Sequence, residues 1–286
     1  MRIANLNGRA ALVADGRALD LATASGGALP SDPAAVYAEW DAVTNWATGK
    51  DPASDPAAVP YADADLGAPS PRPQQVFGIG LNYADHAHEA GLELPTAPVV
   101  FTKFASSVAG PDVDVTLVGN TVDWEAELVV VVGRGGRDIP IAEAASRVAG
   151  YTVGQDLSER TVQWQGSPAQ FSMGKSFENF APTGPVLVSG DELDASNLRI
   201  TTTLHHDGVA TVMQDSRTDQ LIFGIPELIA RLSQTVELRP GDLIFTGTPH
   251  GVGAAMKPPR FLQDGESIIT EIEGIGAIEQ RFHARS

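Results

Sequence analysis

Three carboxylates at alternate positions form the strongest chemical signal in the chain. Asp123, Glu125 and Glu127 lie in Asp123-Trp124-Glu125-Ala126-Glu127-Leu128, which runs directly into the valines at 129 to 132. The valine run predicts a strand, on which alternate side chains share a face, so the three acids project together and Trp124, Ala126 and Leu128 point the other way. Carboxylates about 7 Å apart on one face repel. Leading into so apolar a strand, they either form a solvated acidic face or require a cation to neutralise them. A second short strand, Tyr151-Thr152-Val153-Gly154-Gln155-Asp156, ends in another carboxylate just before Leu157-Ser158-Glu159-Arg160. Three carboxylates with no cysteine and no helical histidine pair suit a hard cation held by oxygen. Mg²⁺ or Mn²⁺ is the natural choice, and Ca²⁺ also fits.

Histidine, lysine and glycine supply further candidates. In Asn82-Tyr83-Ala84-Asp85-His86-Ala87-His88-Glu89-Ala90-Gly91 a helix sets His86 and Glu89 at i, i+3, with His88 pointing away. An imidazole oriented by a carboxylate is a general base for activating water; the plainer alternative is a polar, exposed helix. The Gly91 stop and the loop at 92–98 suggest a segment that closes over a ligand. Lysine occurs only at Lys50, Lys103, Lys175 and Lys257, and two of these sit among aromatics, Lys103 beside Phe101 and Phe104, Lys175 between Phe171 and Phe177. Each suits a structural ion pair, an anionic substrate or a polarised carbonyl. Residues 242 to 253 read as a strand entering a glycine-rich turn, Thr246-Gly247-Thr248-Pro249-His250-Gly251, able to offer N–H groups and the Thr248 hydroxyl to a carboxylate. The turn is neither a P-loop nor a dinucleotide fingerprint, and no Gly-x-Ser-x-Gly elbow occurs.

These groups need a frame, and the composition supplies one. Of 286 residues, 43% are hydrophobic and 19% charged, enough apolar material for a sizeable core. A net charge of −17 repels phosphate backbones and anionic lipid heads, which argues against nucleic-acid and membrane partners. The absence of cysteine removes disulfides, thiolate metal sites and cysteine nucleophiles. With no basic-then-apolar leader and no run of about 18 apolar residues, the reading is a soluble, cytoplasmic protein. The first 22 residues alternate around Asn7-Gly8 and Asp15-Gly16, predicting a hairpin or meander. Asp32-Pro33 predicts a helix start, with Val36, Trp40, Val43 and Trp46 on one face and Gly49 as its stop. Prolines at 52, 56, 60, 69, 71 and 73 mark a connector, so the division expected is a small α+β domain and linker over 1–73 and a main domain over 74–286. Strands are predicted near 76–80, 128–132, 184–188 and 243–246, and helices near 84–90, 141–148 and 226–233. The fold class is α+β with a mixed sheet.

Together the motifs resemble the fumarylacetoacetate hydrolase family. The matching blocks are Gly80 to His86, Asp123 to Leu128, Gly150-Tyr151 through Gln155 to Arg160, Gly174-Lys175-Ser176-Phe177 and Thr246 to Gly253, in family order over about 76–283. The resemblance implies a rolled mixed β-sheet around a divalent metal, a homodimer, and metal ligands at Glu125, Glu127 and Asp156, with Asp123 behind them. It implies that His86 and Glu89 activate water and that Lys175 polarises the substrate carbonyl. Arg160, Gln163 and Thr248 then lie at the substrate, where the aromatic surroundings of Lys103 suggest that it too makes a contact. The first 70 residues resemble the small variable domain of longer members.

The reaction so implied is hydrolytic C–C cleavage of a 2,4-dioxo acid, acylpyruvate-like or a dioxo sugar acid, to a pyruvate-type product. The 2-oxo carboxylate would chelate the metal through two oxygens, which lets an acidic protein hold an anion. The same metal also supports decarboxylation of oxaloacetate-like acids or isomerisation and tautomerisation of unsaturated 2-oxo dioic acids, without a hydrolytic water. A silent metal-binding protein is the remaining reading, against which stands the presence of a base and a lysine beside the carboxylates.

Overall fold

The computed structural model describes residues 1–85 and 93–285. Among them a large mixed sheet carries the molecule. From one edge its strands run Val59–Pro60, Arg17–Asp20, Arg9–Ala14, Arg2–Leu6, Ala181–Ser189, Val148–Gln155, Ala126–Val132, Leu243–Phe245, Val76–Gly80 and Val99–Thr102. Most pairs are antiparallel, but Leu243–Phe245 runs parallel to Val76–Gly80. A second sheet, ordered Val209–Arg217, Arg199–His206, Ser267–Ile272, Gly276–Ala284 and Asp112–Leu117, packs against the first. The fold is α+β with mixed sheets and few helices.

The strand Ala126–Val132 is buried at all seven positions. Its neighbours on both sides are sheet strands, and its two faces enter different apolar clusters, Leu128 and Val130 in one, Val129 and Val131 in the other. That double burial is why the run reads as continuous valine rather than as an alternation. The amphipathic helix Ile225–Thr235 covers one of these faces with Leu228, Ile229 and Leu232, and Pro226 sits in its first turn where a missing N–H costs nothing.

Several expectations shift. Asp32 does cap a turn, accepting from the Ala34 N–H at 3.1 Å, but the helix itself is a 3₁₀ turn over Val36–Glu39 followed by an α-helix over Trp40–Ala47. Gly49 follows it at φ 75°. The pattern at 141–148 gives only a helical turn, Ile141–Ala144, a 3₁₀ turn to Arg147, and then a strand from Val148. Of the helix read over 84–90, residues 86–90 lie outside those described. Residues 1–73 contribute strands that hydrogen-bond into the main sheet, Arg2–Leu6 pairing with Ala181–Ser189. No helix among the described residues is long and apolar enough to cross a membrane.

Candidate active site

The carboxylates converge where two central strands leave the sheet. Ala126–Val132 pairs antiparallel with Val148–Gln155, putting Glu127 opposite Gly154, and the ladder closes with the Asp156 N–H donating to the Glu125 carbonyl at 2.9 Å. Gly154 is required there, because a Cβ would stand 2.4 Å from Val129 Cγ2 and 2.7 Å from Phe245. Carboxylate oxygens of Glu125, Glu127 and Asp156 lie within 4.8 Å of one another, and all three side chains are buried. One strand does not hold Asp123, Glu125 and Glu127 on a common face, as the alternation suggested. It breaks at Trp124 and Glu125, between Val122–Asp123 and Ala126–Val132. Asp123 instead accepts the N–H groups of Trp124, Gly253 and Ala254 at 2.7 to 2.9 Å and the Arg160 guanidinium at 2.6 Å.

Cations fill the space between the acids. Lys175 Nζ donates to Glu125 Oε2 at 2.6 Å and to Asp156 Oδ2 at 2.7 Å. Arg160 spans Asp123 and Glu125, its Nη1 standing 2.7 Å from Glu125 Oε1 and donating to Gln163 Oε1 at 2.9 Å. Lys103 Nζ donates to Asp156 Oδ1 at 2.5 Å and to the Lys175 carbonyl. Lys103, expected at the substrate, is corrected in position: its side chain is fully buried behind Asp156, where it holds that carboxylate and the Lys175 backbone.

Burial opposes ionisation of Glu125, but Lys175 and Arg160 outweigh it and hold the carboxyl down at about 2. Burial pushes Glu127 the other way, well above the usual range, with the Asp156 and Glu125 charges adding to the effect. Its neutral partner is the Gly247 N–H, donating to Oε2 at 2.7 Å, and no ion pair reaches it among the described residues. Burial pulls Lys103 down, whereas for Lys175 the Asp156 and Glu125 charges overcome burial and raise it.

This donor set passes a test of fit for a divalent cation. Four buried carboxylates, Asp123, Glu125, Glu127 and Asp156, face three buried cations, Lys103, Lys175 and Arg160, and the acid left without an ion pair among them is Glu127, whose ionisation burial opposes. A hard cation with oxygen ligands would favour its ionised form and suits these oxygens.

A cavity of about 700 Å³ opens over Glu125, with Arg160, Gln163, Lys175 and Thr248 also in its lining and Phe101, Trp164 and Phe171 on an apolar wall. His86 and Glu89 lie outside the described residues. Thr248 follows the Leu243–Phe245 strand through Gly247, where φ is 104° and an added Cβ would stand 2.8 Å from Asn82 Cβ, leaving no room for a side chain. Asn82 ties this turn in place, donating to the carbonyls of Thr246 and Phe223 at 2.8 and 3.1 Å and accepting the Phe223 N–H. The sequence motif contained Asn82 without revealing this role. Gln214, which donates to Thr248 Oγ1 at 2.9 Å, comes from the second sheet and carried no local signal.

Comparison with known proteins gives a consistent picture. Residues 75–283 match the family model described as Fumarylacetoacetate (FAA) hydrolase C-terminal. The cattle protein oxaloacetate tautomerase FAHD2A, mitochondrial, is 43% identical over 223 residues, covering 77% of this chain and 70% of the relative. An HpcE candidate from Mycobacterium smegmatis superposes with TM-score 0.91 at 49% identity over the whole of both chains. The 5-carboxymethyl-2-hydroxymuconate delta-isomerase of the same organism gives TM-score 0.75 at 29% identity, again over both whole chains. The names favour tautomerisation and isomerisation, the alternative chemistry, over hydrolysis, which is supported only at the level of the family. The expectation of a cytoplasmic protein is corrected, since curated relatives such as the cattle and human FAHD2A proteins are named as mitochondrial. Compartment is written in an address segment read by a receptor, and the composition of a folded domain is silent about it. With the model match spanning most of the chain and the buried acids in place, this protein belongs to the fumarylacetoacetate hydrolase family of enzymes.

Proposed function

We propose that this chain is a divalent-metal-dependent tautomerase of oxaloacetate-like 2-oxo diacids, acting as a homodimer through a catalytic domain over residues 74–286. The observation that carries the reading is the buried Glu125, Glu127 and Asp156 group, in which Glu127 has no ion pair among the described residues, beneath a cavity that Glu125 and Lys175 line. The tautomerase relative supports the substrate class.

Glu125, Glu127 and Asp156 are the residues to hold Mg²⁺ or Mn²⁺. A cation so held supplies Lewis acidity, drawing charge from a 2-oxo carbonyl and acidifying the neighbouring C–H. Lys175, whose ammonium spans Glu125 and Asp156, is the group to take up charge developing on the keto oxygen. Arg160 commits its guanidinium to Asp123 and Glu125 and so fixes the direction of the Glu125 carboxylate. Gln163 braces Arg160, and Thr248 offers its hydroxyl to the substrate carboxylate. The His86 and Glu89 pair carries the proton between carbon and oxygen. Tautomerisation needs that transfer alone, and no water is consumed.

The test follows enol-to-keto conversion of oxaloacetate with Mg²⁺ or Mn²⁺ and with EDTA, in wild type and His86→Ala. Metal-dependent acceleration lost in the variant supports the reading; a rate indifferent to EDTA overturns it. Light scattering checks the dimer, and a monomeric mass removes that part. A second reading, isomerisation of an unsaturated 2-hydroxy dioate, is favoured by the full-length similarity to the muconate isomerase. Turnover of such a dioate in place of oxaloacetate would select it.

A further inference from the structure

A chain of buried amides and hydroxyls runs from the metal-ligand strand to the cavity, and every hydrogen bond in it has a forced direction. It begins at two backbone N–H groups, which can only donate: that of Glu125 to Gln155 Oε1 at 2.8 Å and that of Ala126 to Gln214 Oε1 at 2.9 Å. Each fixes the orientation of its amide, because the flipped form would set NH₂ against N–H. The Gln155 amide therefore donates through Nε2, to Thr270 Oγ1 at 2.7 Å and Thr202 Oγ1 at 3.2 Å. Thr202, with its oxygen accepting there, donates its proton to Gln214 Oε1 at 3.0 Å. Gln214 Nε2 in turn donates to Thr248 Oγ1 at 2.9 Å and the Pro249 carbonyl at 3.1 Å. Gln155, Thr202, Gln214 and Thr270 are all fully buried, so water does not reorder the chain.

The last link is Thr248. Its oxygen accepts from Gln214, which leaves its proton for another partner, and the residue lines the cavity. We propose that Gln214 is a positioning residue: by donating to Thr248 Oγ1 it leaves the Thr248 proton free for the cavity, which favours an anionic or carbonyl oxygen of a ligand at that point. The oxygen meant is a carboxylate oxygen of the 2-oxo diacid, so the kinetic form of this inference rests on the function proposed above. The proton order does not. A buried donor aimed at a ligand discriminates strongly, because a partner that cannot accept leaves it unpaired.

Gln214→Glu tests this with little change of shape. When ionised, a carboxylate at 214 still accepts from Ala126 and Thr202, but its second oxygen faces the Pro249 carbonyl and accepts from Thr248, so the Thr248 proton turns away from the cavity. Burial favours the protonated form, which donates as the amide does, so KM is read across pH up to where the carboxyl ionises. With oxaloacetate at saturating Mg²⁺, KM should rise about 10- to 100-fold, the value of one hydrogen bond to a charged group, while kcat changes little. Thr248→Val should do the same, and Thr248→Ser should keep KM near wild type. The double variant Gln214→Glu with Thr248→Val should be no worse than the worse single one. A further loss in the double variant shows that the new charge, not the hydroxyl, raises KM, and overturns the proposal; so does an unchanged KM in Gln214→Glu. Joint neutron diffraction on the deuterium-exchanged wild-type protein gives an answer independent of variant folding. The Thr248 deuteron should point into the cavity, and finding it directed at Gln214 overturns the inference. If wild type leaves oxaloacetate untouched, the substrate reading fails alone, and the deuteron position still decides the role of Gln214.

Discussion

Glu127→Gln separates the stability of this protein from its metal chemistry, with opposite signs. Glu127 faces the like charges of Glu125 and Asp156 and the opposite charge of Lys175, so roughly one repulsion stays uncompensated. At a separation of no more than 4.8 Å and an effective dielectric of about 20, one such pair costs at least about 3.5 kcal/mol. Part of this is already relieved, because burial and its neighbours raise the Glu127 carboxyl toward holding a proton. An amide keeps an oxygen for the Gly247 N–H and turns an NH₂ toward the remaining acids. In EDTA the variant should therefore be more stable than wild type by about 1–3 kcal/mol, a rise of several degrees in Tm. Wild type in Mg²⁺ or Mn²⁺ at about 100 times Kd gains about 2.7 kcal/mol, and the variant, short of one charged ligand, should show none of that gain at the same concentration. Differential scanning fluorimetry across a metal titration reads both quantities. A variant less stable than wild type in EDTA, or one with an undiminished metal response, would refute the charge argument.

Two further outcomes follow from other contacts. Lys175→Met removes the ammonium between Glu125 and Asp156: Tm in EDTA should fall, the metal-induced rise should grow, and kcat should drop about 10²–10³-fold, as for loss of one contact to developing charge. Wild-type turnover in this variant would remove Lys175 from the chemistry. Asp20 hydrogen-bonds Arg9, which holds its carboxyl at about 2 against 3.8 when free. A depressed carboxyl stabilises the fold above its unfolded value and loses that contribution as pH falls through the folded one. Asp20→Asn should thus be less stable than wild type by under about 1 kcal/mol near neutrality, the pair being partly exposed, and urea midpoints of the two should converge between about pH 4 and pH 2.

The central strand was legible because double burial imposes a continuous apolar run, and Ala126–Val132 is that run. The acids stood out for the same reason, since Glu127 lies within, and Glu125 and Asp156 just beyond, strands too apolar to tolerate unpaired charge. Lys103 and Lys175 were legible as unusual but not as different. Both sit among aromatics, and only the packing puts Lys175 in the cavity wall and Lys103 behind Asp156. Alternation likewise misplaced Asp123, because a strand ends where its backbone groups find better partners. The N–H groups of Gly253 and Ala254, 130 residues away in sequence, draw that carboxylate out of line.

What the sequence determined by itself is therefore the local chemistry: which residues carry charge into apolar surroundings, the mixed α+β character of the chain, and the order of motifs that marks its family. The tertiary structure alone decided that Arg2–Leu6 joins the main sheet beside Ala181–Ser189, that three carboxylates meet within 4.8 Å, and that Gln214 reaches Thr248 from the other sheet. The reason is one of range. Periodicity and turn chemistry act over a few neighbouring residues, whereas pairing, burial and the direction of a buried hydrogen bond depend on groups brought together only when the whole core closes.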